Sequence, residues 1–168
     1  KNPPRGARFR YYLKEELEES ESLRIDIFDS KNQLVRTLSS TADAFEKCAK
    51  GNEDARSPLK FTHPSTNEGY NEFIWDLRRS PLNCIDNVKL FGGWKGARVM
   101  PGDYKATITV GEQSQTRPFK VLPDPREESD AAQLQIVEQS IQASENLLNE
   151  LFEHLQKARN VRETLNGV

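Results

Sequence analysis

Met100-Pro101-Gly102-Asp103-Tyr104-Lys105-Ala106-Thr107-Ile108-Thr109-Val110 is a turn feeding a strand with one apolar face. Pro101 presets φ for the second position of the turn, and Gly102 offers the positive φ that the third position of a type II turn takes. Beyond the turn, Tyr104, Ala106, Ile108 and Val110 point one way while Lys105, Thr107 and Thr109 point the other. This two-residue alternation belongs to a strand buried on one side.

The same alternation recurs on both sides of that stretch. Ala7, Phe9, Tyr11 and Leu13 alternate with Arg8, Arg10, Tyr12 and Lys14, and Leu23, Ile25 and Ile27 repeat the pattern. A turn at Asp29-Ser30-Lys31-Asn32 then leads into Gln33-Leu34-Val35-Arg36-Thr37-Leu38, which predicts a hairpin. Phe73, Trp75 and Leu77 share one face of a strand over 71–77, with Trp75 as the largest core residue. Gly111-Glu112-Gln113 is the next reversal, and 116–122 forms the last strand. Pro118 makes that strand an edge, because proline cannot donate to a ladder. Strands of this kind predict a mainly β fold: an immunoglobulin-like or fibronectin III-like antiparallel sandwich over 1–123.

Two irregular stretches interrupt the strands. Between about 39 and 69 the chain is polar and aperiodic, with only 43–50 resembling a short helix, and reads as an insertion loop. The second, 78–99, contains Gly92-Gly93-Trp94-Lys95-Gly96, whose glycines let backbone pass close to the Trp94 ring.

Past Pro123-Asp124-Pro125-Arg126 the hydrophobic period changes to about 3.6. One long helix is expected from about 127 to about 165 within a C-terminal segment 124–168. Glu127, Glu128 and Asp130 would occupy its first turn, and Lys157, Arg159 and Arg162 its C-terminal end, the order that the helix dipole favours. Leu134, Val137, Ile141, Leu148, Leu151, Leu155, Ala158 and Leu165 fall on an a/d seam that Ser144 and Arg162 interrupt. Leu147, Phe152 and Val161 widen it. A helix of nearly 40 residues extends roughly 55–60 Å, whereas a strand of about eight residues reaches roughly 26 Å. The helix is therefore expected to overhang the strands and to need a further partner for its distal face. Leu134, Val137, Ile141, Leu148, Leu151, Phe152 and Leu155 are the candidate docking or oligomerisation residues.

Composition narrows the function classes. Of 168 residues, 35% are hydrophobic and 30% charged, so the core is modest and much of the chain is solvated. No run approaches the roughly 20 apolar residues that span a bilayer. Residues 1–126 carry 21 basic and 18 acidic side chains, and residues 127–168 carry 3 and 8. The basic residues are scattered among carboxylates rather than gathered on a face with interleaved aromatics, which argues against nucleic-acid binding. The start at Lys1-Asn2-Pro3-Pro4 has neither an initiator Met nor a leader pattern, and the chain is read as a fragment of a larger protein.

No catalytic centre is legible. Cys48 and Cys84 are either free or joined in one disulfide if the protein is exported, and with His63 and His154 they lack the ligand spacing of a zinc site. The run Glu15, Glu16, Glu18, Glu19 and Glu21 lacks the turn glycine and converging ligands of a calcium loop and reads as a solvated face. Asp76 caps a strand end or pairs with Arg78, Arg79 or Arg98. No cofactor, metal or catalytic residue is expected. Trp94, Tyr70 and Phe91 are the candidates for stacking on a sugar ring, against the alternative that they fold back onto the sheets.

Several phrases in order resemble the C-terminal segment of bacterial sortilin-like, BNR-repeat glycosyl hydrolase-related proteins, in which a β-propeller precedes an immunoglobulin-like module. They are Asn2-Pro3-Pro4-Arg5-Gly6-Ala7, Tyr11-Tyr12-Leu13, Ile25-Asp26-Ile27-Phe28-Asp29, Val35-Arg36-Thr37-Leu38, Gly69-Tyr70-Asn71-Glu72-Phe73-Ile74-Trp75-Asp76-Leu77-Arg78, Pro101-Gly102-Asp103-Tyr104 and Asp124-Pro125-Arg126. The strand grammar of Val-Arg-Thr-Leu followed later by Trp-Asp is also similar to the immunoglobulin-like domain of flagellar-hook-capping proteins. The resemblance covers residues 2–126 in scattered blocks. It implies an accessory module of a secreted or periplasmic protein, with any glycosidase activity in a propeller preceding Lys1. The partner it implies is that propeller; the overhanging helix adds a second copy of the chain as an expected partner, and the loop aromatics a polysaccharide.

Overall fold

Six strands and one long helix are assigned in the computed structural model, which describes residues 6–18, 20–43, 45–46, 48, 62–85, 88, 94–126 and 130–166. The strands are β1 (Ala7–Leu13), β2 (Leu23–Asp29), β3 (Leu34–Ser39), β4 (Gly69–Trp75), β5 (Gly102–Val110) and β6 (Gln113–Val121). Antiparallel pairing of β1 with β4 makes a two-stranded sheet, and the order β3-β2-β5-β6 makes a four-stranded one. The fold is thus mainly β, with two antiparallel sheets and a C-terminal helix.

Alternation decides which face of each strand is covered. In β2, Leu23, Ile25 and Ile27 lose all contact with solvent, as befits an interior strand of the larger sheet. They join Val35 and Leu38 of β3, Phe73 and Trp75 of β4, and Tyr104 and Ala106 of β5 in one apolar cluster, so both sheets contribute to the same core. Trp75 is 1% exposed. Its indole Nε1 donates to the Arg78 carbonyl at 2.9 Å, and its ring meets Tyr104 and Phe119 edge-on. Burying an indole without a partner for its N–H would cost a hydrogen bond, and the carbonyl removes that cost.

The polar exception in β2 is Asp26, buried on the opposite side of the strand. Thr37 donates to it at 2.7 Å from the paired position on β3, and the Arg24 guanidinium lies 2.8 Å away. The carboxylate therefore keeps partners when it leaves water.

The turns follow their residues, with one correction. Asp29 accepts from the backbone N–H of Lys31 and of Gln33, and Asn32 takes φ 62°, closing the β2–β3 hairpin. Gly111 takes φ 54° in the two-residue β5–β6 connection, where a glycine at the first central position is preferred. Gly102 does not adopt the positive φ expected of it; it is the first residue of β5, opposite Val121, and extends the ladder instead of closing a turn. Pro118 lies in β6 at the sheet edge, opposite Lys105, where a missing N–H breaks no ladder.

By contacts the chain forms two units. The first comprises Lys1–Asp43, Phe61–Ser80 and Arg98–Glu128 and holds both sheets. The second comprises Ala44–Lys60, Pro81–Ala97 and Ser129–Val168. Most of the two irregular stretches, placed by sequence inside the β segment, groups with the helix. The helix, α1 (Ala131–Asn166), runs 36 residues, roughly 54 Å. It begins after Asp130, whose carboxylate accepts from the Ala132 N–H at 3.2 Å and whose carbonyl accepts from Leu134 N–H. Asp130 is thus an N-cap and not a first-turn acid, and α1 carries no acidic side chain in its first turn and no basic one in its last. Glu127 and Glu128 lie outside the described residues.

Candidate functional site

The second unit has its own small core, made where the irregular stretches meet α1. Leu82, Ile85, Trp94 and Phe152 form a buried cluster, with Phe45, Cys84 and Val88 packed against it. The Trp94 and Phe152 ring centroids are 5.4 Å apart at a tilt of 53°. A disulfide joins Cys48 to Cys84 across 36 positions, with the Cα atoms 6.0 Å apart, tying one irregular stretch to the other. Leu82 N–H donates to the Trp94 carbonyl at 3.1 Å, closing the second stretch on itself.

Helix α1 holds these loops with polar side chains as well as with Phe152. Asn149 Oδ1 accepts from Asn83 N–H at 2.8 Å, and Glu145 Oε1 accepts from Ala97 N–H at 3.2 Å. Glu138, Gln142, Glu145, Asn149, Phe152 and Arg159 are the half-buried or buried positions along this line. They recur every three or four residues and so share one face. Leu134 and Ile141, also half-buried, lie five turns before Phe152 and Arg159 and share this face, and Glu145, Asn149 and Phe152, 6% exposed, are its contacts with the loops.

The exposed part of the leucine seam lies beside that face. Leu147, Leu151, Val161 and Leu165 are more than half exposed, Leu151 at 57%, and Val137, Leu148 and Leu155 are exposed too. Of the candidate docking residues, Phe152 is taken up by the core of its own unit, Leu134 and Ile141 are half-buried, and Leu148, Leu151 and Leu155 are exposed with Leu147, Val161 and Leu165 as an apolar stripe over 147–165. Glu145, Asn149, Leu82 and Ile85 went unrecognised in the sequence. The faint signal was the repeat of Leu82 and Ile85 around Cys84.

Of the candidate sugar-stacking residues, Trp94 and Tyr70 are among the described residues. Trp94 is 3% exposed and gives its ring to Phe152, leaving no face for a sugar, which corrects the expectation for that residue. Phe91 lies outside the described residues. Tyr70, 74% exposed, stands on β4 directly opposite Tyr12 on β1, also exposed. Next along the same face, Arg10 and Glu72 are paired at 2.9 Å. Tyr12 was not singled out in the sequence, although its place on the polar side of β1 already faced it outward.

Asp76 accepts from Arg78 N–H at 3.2 Å, the expected cap at a strand end. His63 Nδ1 lies 2.9 Å from the Ser39 carbonyl. Burial pushes the Tyr11 phenol up to about 12, and its hydroxyl donates to the Ser65 carbonyl at 2.7 Å. Burial lowers the Arg36 guanidinium against the pull of Asp76 and Asp43. Among the described residues no three metal-ligating side chains gather, and no helix is long and apolar enough to cross a membrane. Comparison of the chain with protein-family models, with curated proteins and with solved structures finds no match.

Proposed function

We propose that this chain is a non-catalytic interaction module of a larger exported protein, an immunoglobulin-like or fibronectin III-like sandwich whose C-terminal helix docks or oligomerises. The observation that carries the reading is the open stripe of Leu147, Leu151, Leu155, Val161 and Leu165 on a helix already anchored through Phe152 on its other flank. Within its unit the described residues hold the helix through Phe152, Asn149 and Glu145, and the apolar area of the exposed leucines supplies a driving force for association. The Cys48–Cys84 bond supports an oxidising compartment, where such bonds persist. A β-propeller preceding the module, with any glycosidase activity residing there, follows from the resemblance of residues 2–126.

The test compares the chain with a Leu151→Glu/Leu155→Glu variant, each alone and co-expressed with the upstream part of its parent protein. The unmodified chain is expected to enter an assembly and the variant to remain outside it, with equal helical circular dichroism. A variant that assembles as well as the unmodified chain overturns the reading.

A second reading, recognition of polysaccharide, has support at the Tyr12–Tyr70 pair, two exposed rings at directly opposed positions of a two-stranded sheet. Titration of insoluble polysaccharides with the chain and with Tyr12→Ala/Tyr70→Ala decides it. Equal binding by the two proteins removes it.

A further inference from the structure

We propose that the open stripe of α1 pairs with the same stripe of a second copy, the two helices antiparallel and centred at Glu153. The proposal rests on the reading of α1 as a docking helix and names its occupant. It comes from where the seam is broken. Ser144 and Arg162 are the two polar positions in the seam. The Ser144 hydroxyl donates to the Ser140 carbonyl at 2.8 Å and so occupies little room on the helix surface. Arg162 is exposed, and the residues three and four positions away on either side are Ala158, Arg159, Leu165 and Asn166, so its own helix gives it no facing carboxylate.

A parallel, in-register partner would set Arg162 against Arg162 at a seam position, two like charges in a closing apolar interface. A two-fold axis between antiparallel helices brings together positions equally far from the centre. Ser144 and Arg162 each lie nine residues from Glu153, so each guanidinium falls over a serine, with space to reach solvent. Leu151 and Leu155 each lie two residues away, and Leu148 and Ala158 five, so a large side chain meets a small one and the central leucines meet each other.

Glu150 and Lys157 complete the match. Seven residues apart, they share the flank of the stripe away from Phe152, and their midpoint falls half a residue from Glu153. In the antiparallel pair, Glu150 of each copy comes beside Lys157 of the other, twice by symmetry. An apolar surface of unrelated chemistry would place no such symmetry on the breaks and flanking charges. The loops keep Phe152, Asn149 and Glu145, so the second copy takes a face they leave open.

Ser144→Cys and Arg162→Cys proteins, made separately, are mixed at equal amounts, oxidised mildly and read by non-reducing gel and mass spectrometry. The 144–162 crosslink is expected to exceed either self-crosslink by at least about fivefold, because the register sets those positions opposite and keeps like positions far apart. In parallel, light scattering of the unmodified chain is expected to approach twice 19.2 kDa as concentration rises. Lys157→Glu should weaken the dimer several-fold, and Glu150→Lys/Lys157→Glu should recover most of the loss. Predominant 144–144 and 162–162 crosslinks overturn the antiparallel pairing while the docking helix stands. A chain that is monomeric at every concentration, yet binds the co-expressed upstream segment through Leu151 and Leu155, overturns the second copy and again leaves docking intact. A monomer whose Leu151→Glu/Leu155→Glu variant behaves identically in both assays overturns both.

Discussion

Replacing Cys48 and Cys84 by serine removes the covalent tie between the two irregular stretches that share a unit with α1. The bond closes a loop of 36 positions. With the chain-entropy relation this restricts the unfolded chain by about 4 kcal/mol when both units unfold. If the sheets stay folded while the second unit opens, the strand-bearing segment Phe61–Ser80 remains fixed. Only roughly 15 freed residues then separate the cysteines, and the effect is about 3 kcal/mol. The rest of the second unit's described core is four buried side chains, Leu82, Ile85, Trp94 and Phe152. A loss of 3–4 kcal/mol is comparable with what so small a core supplies, roughly 1.5–3 kcal/mol per large apolar side chain before ordering costs.

The expected outcome is a split transition. In guanidinium, helical circular dichroism at 222 nm and Trp94 fluorescence, read in a Trp75→Phe background, should fall at markedly lower denaturant in the serine variant. The sheets should unfold close to where they did before. Reduction of the unmodified chain should reproduce the shift. Coincident helix transitions in oxidised, reduced and serine forms would refute the assignment of the disulfide as the clamp of this unit.

Phe152→Ala removes the apolar anchor of α1 against Trp94 and should cost about 3–5 kcal/mol in the second unit, seen as a red shift of Trp94 emission with β-sheet signals intact. Gly6→Ala places a Cβ against the Trp75 carbonyl oxygen, at φ 142° where side chains are strained. Strain of roughly 1–3 kcal/mol or more is expected, and thermal unfolding that leaves the midpoint unchanged would contradict the tight β1–β4 approach. In a protein whose other three tyrosines are Phe, absorbance at 295 nm should show Tyr11 ionising near 12 rather than near its ordinary 10. Because the folded value lies above the unfolded one, the neutral phenol is favoured in the fold. Its contribution is whole below pH 10 and is lost as pH rises through about 12, so denaturant midpoints should decline across that window.

Much of the architecture was legible because strands and helices write their burial into short-range periods. Leu23, Ile25 and Ile27 announced an inward face, Pro118 announced an edge, and the change of period past Pro125 announced α1. Gly102 misled because proline-glycine fits a turn and a strand entry equally well, and the ladder opposite Val121 decided between them. Trp94 misled for a similar reason: a tryptophan among glycines looks the same whether its ring faces solvent or a core.

Taken alone, the amino-acid order determined which segments are extended, which are helical and which face of each is apolar, since those properties depend on neighbours two to four positions away. Tertiary structure alone decided that Cys48 bonds Cys84, that Asn149 and Glu145 hold the loops, and that Phe152 leaves the leucine seam to join Trp94. Those choices link residues 36 to 66 positions apart. No local period encodes such pairings, because each depends on which distant chain fills the space beside it.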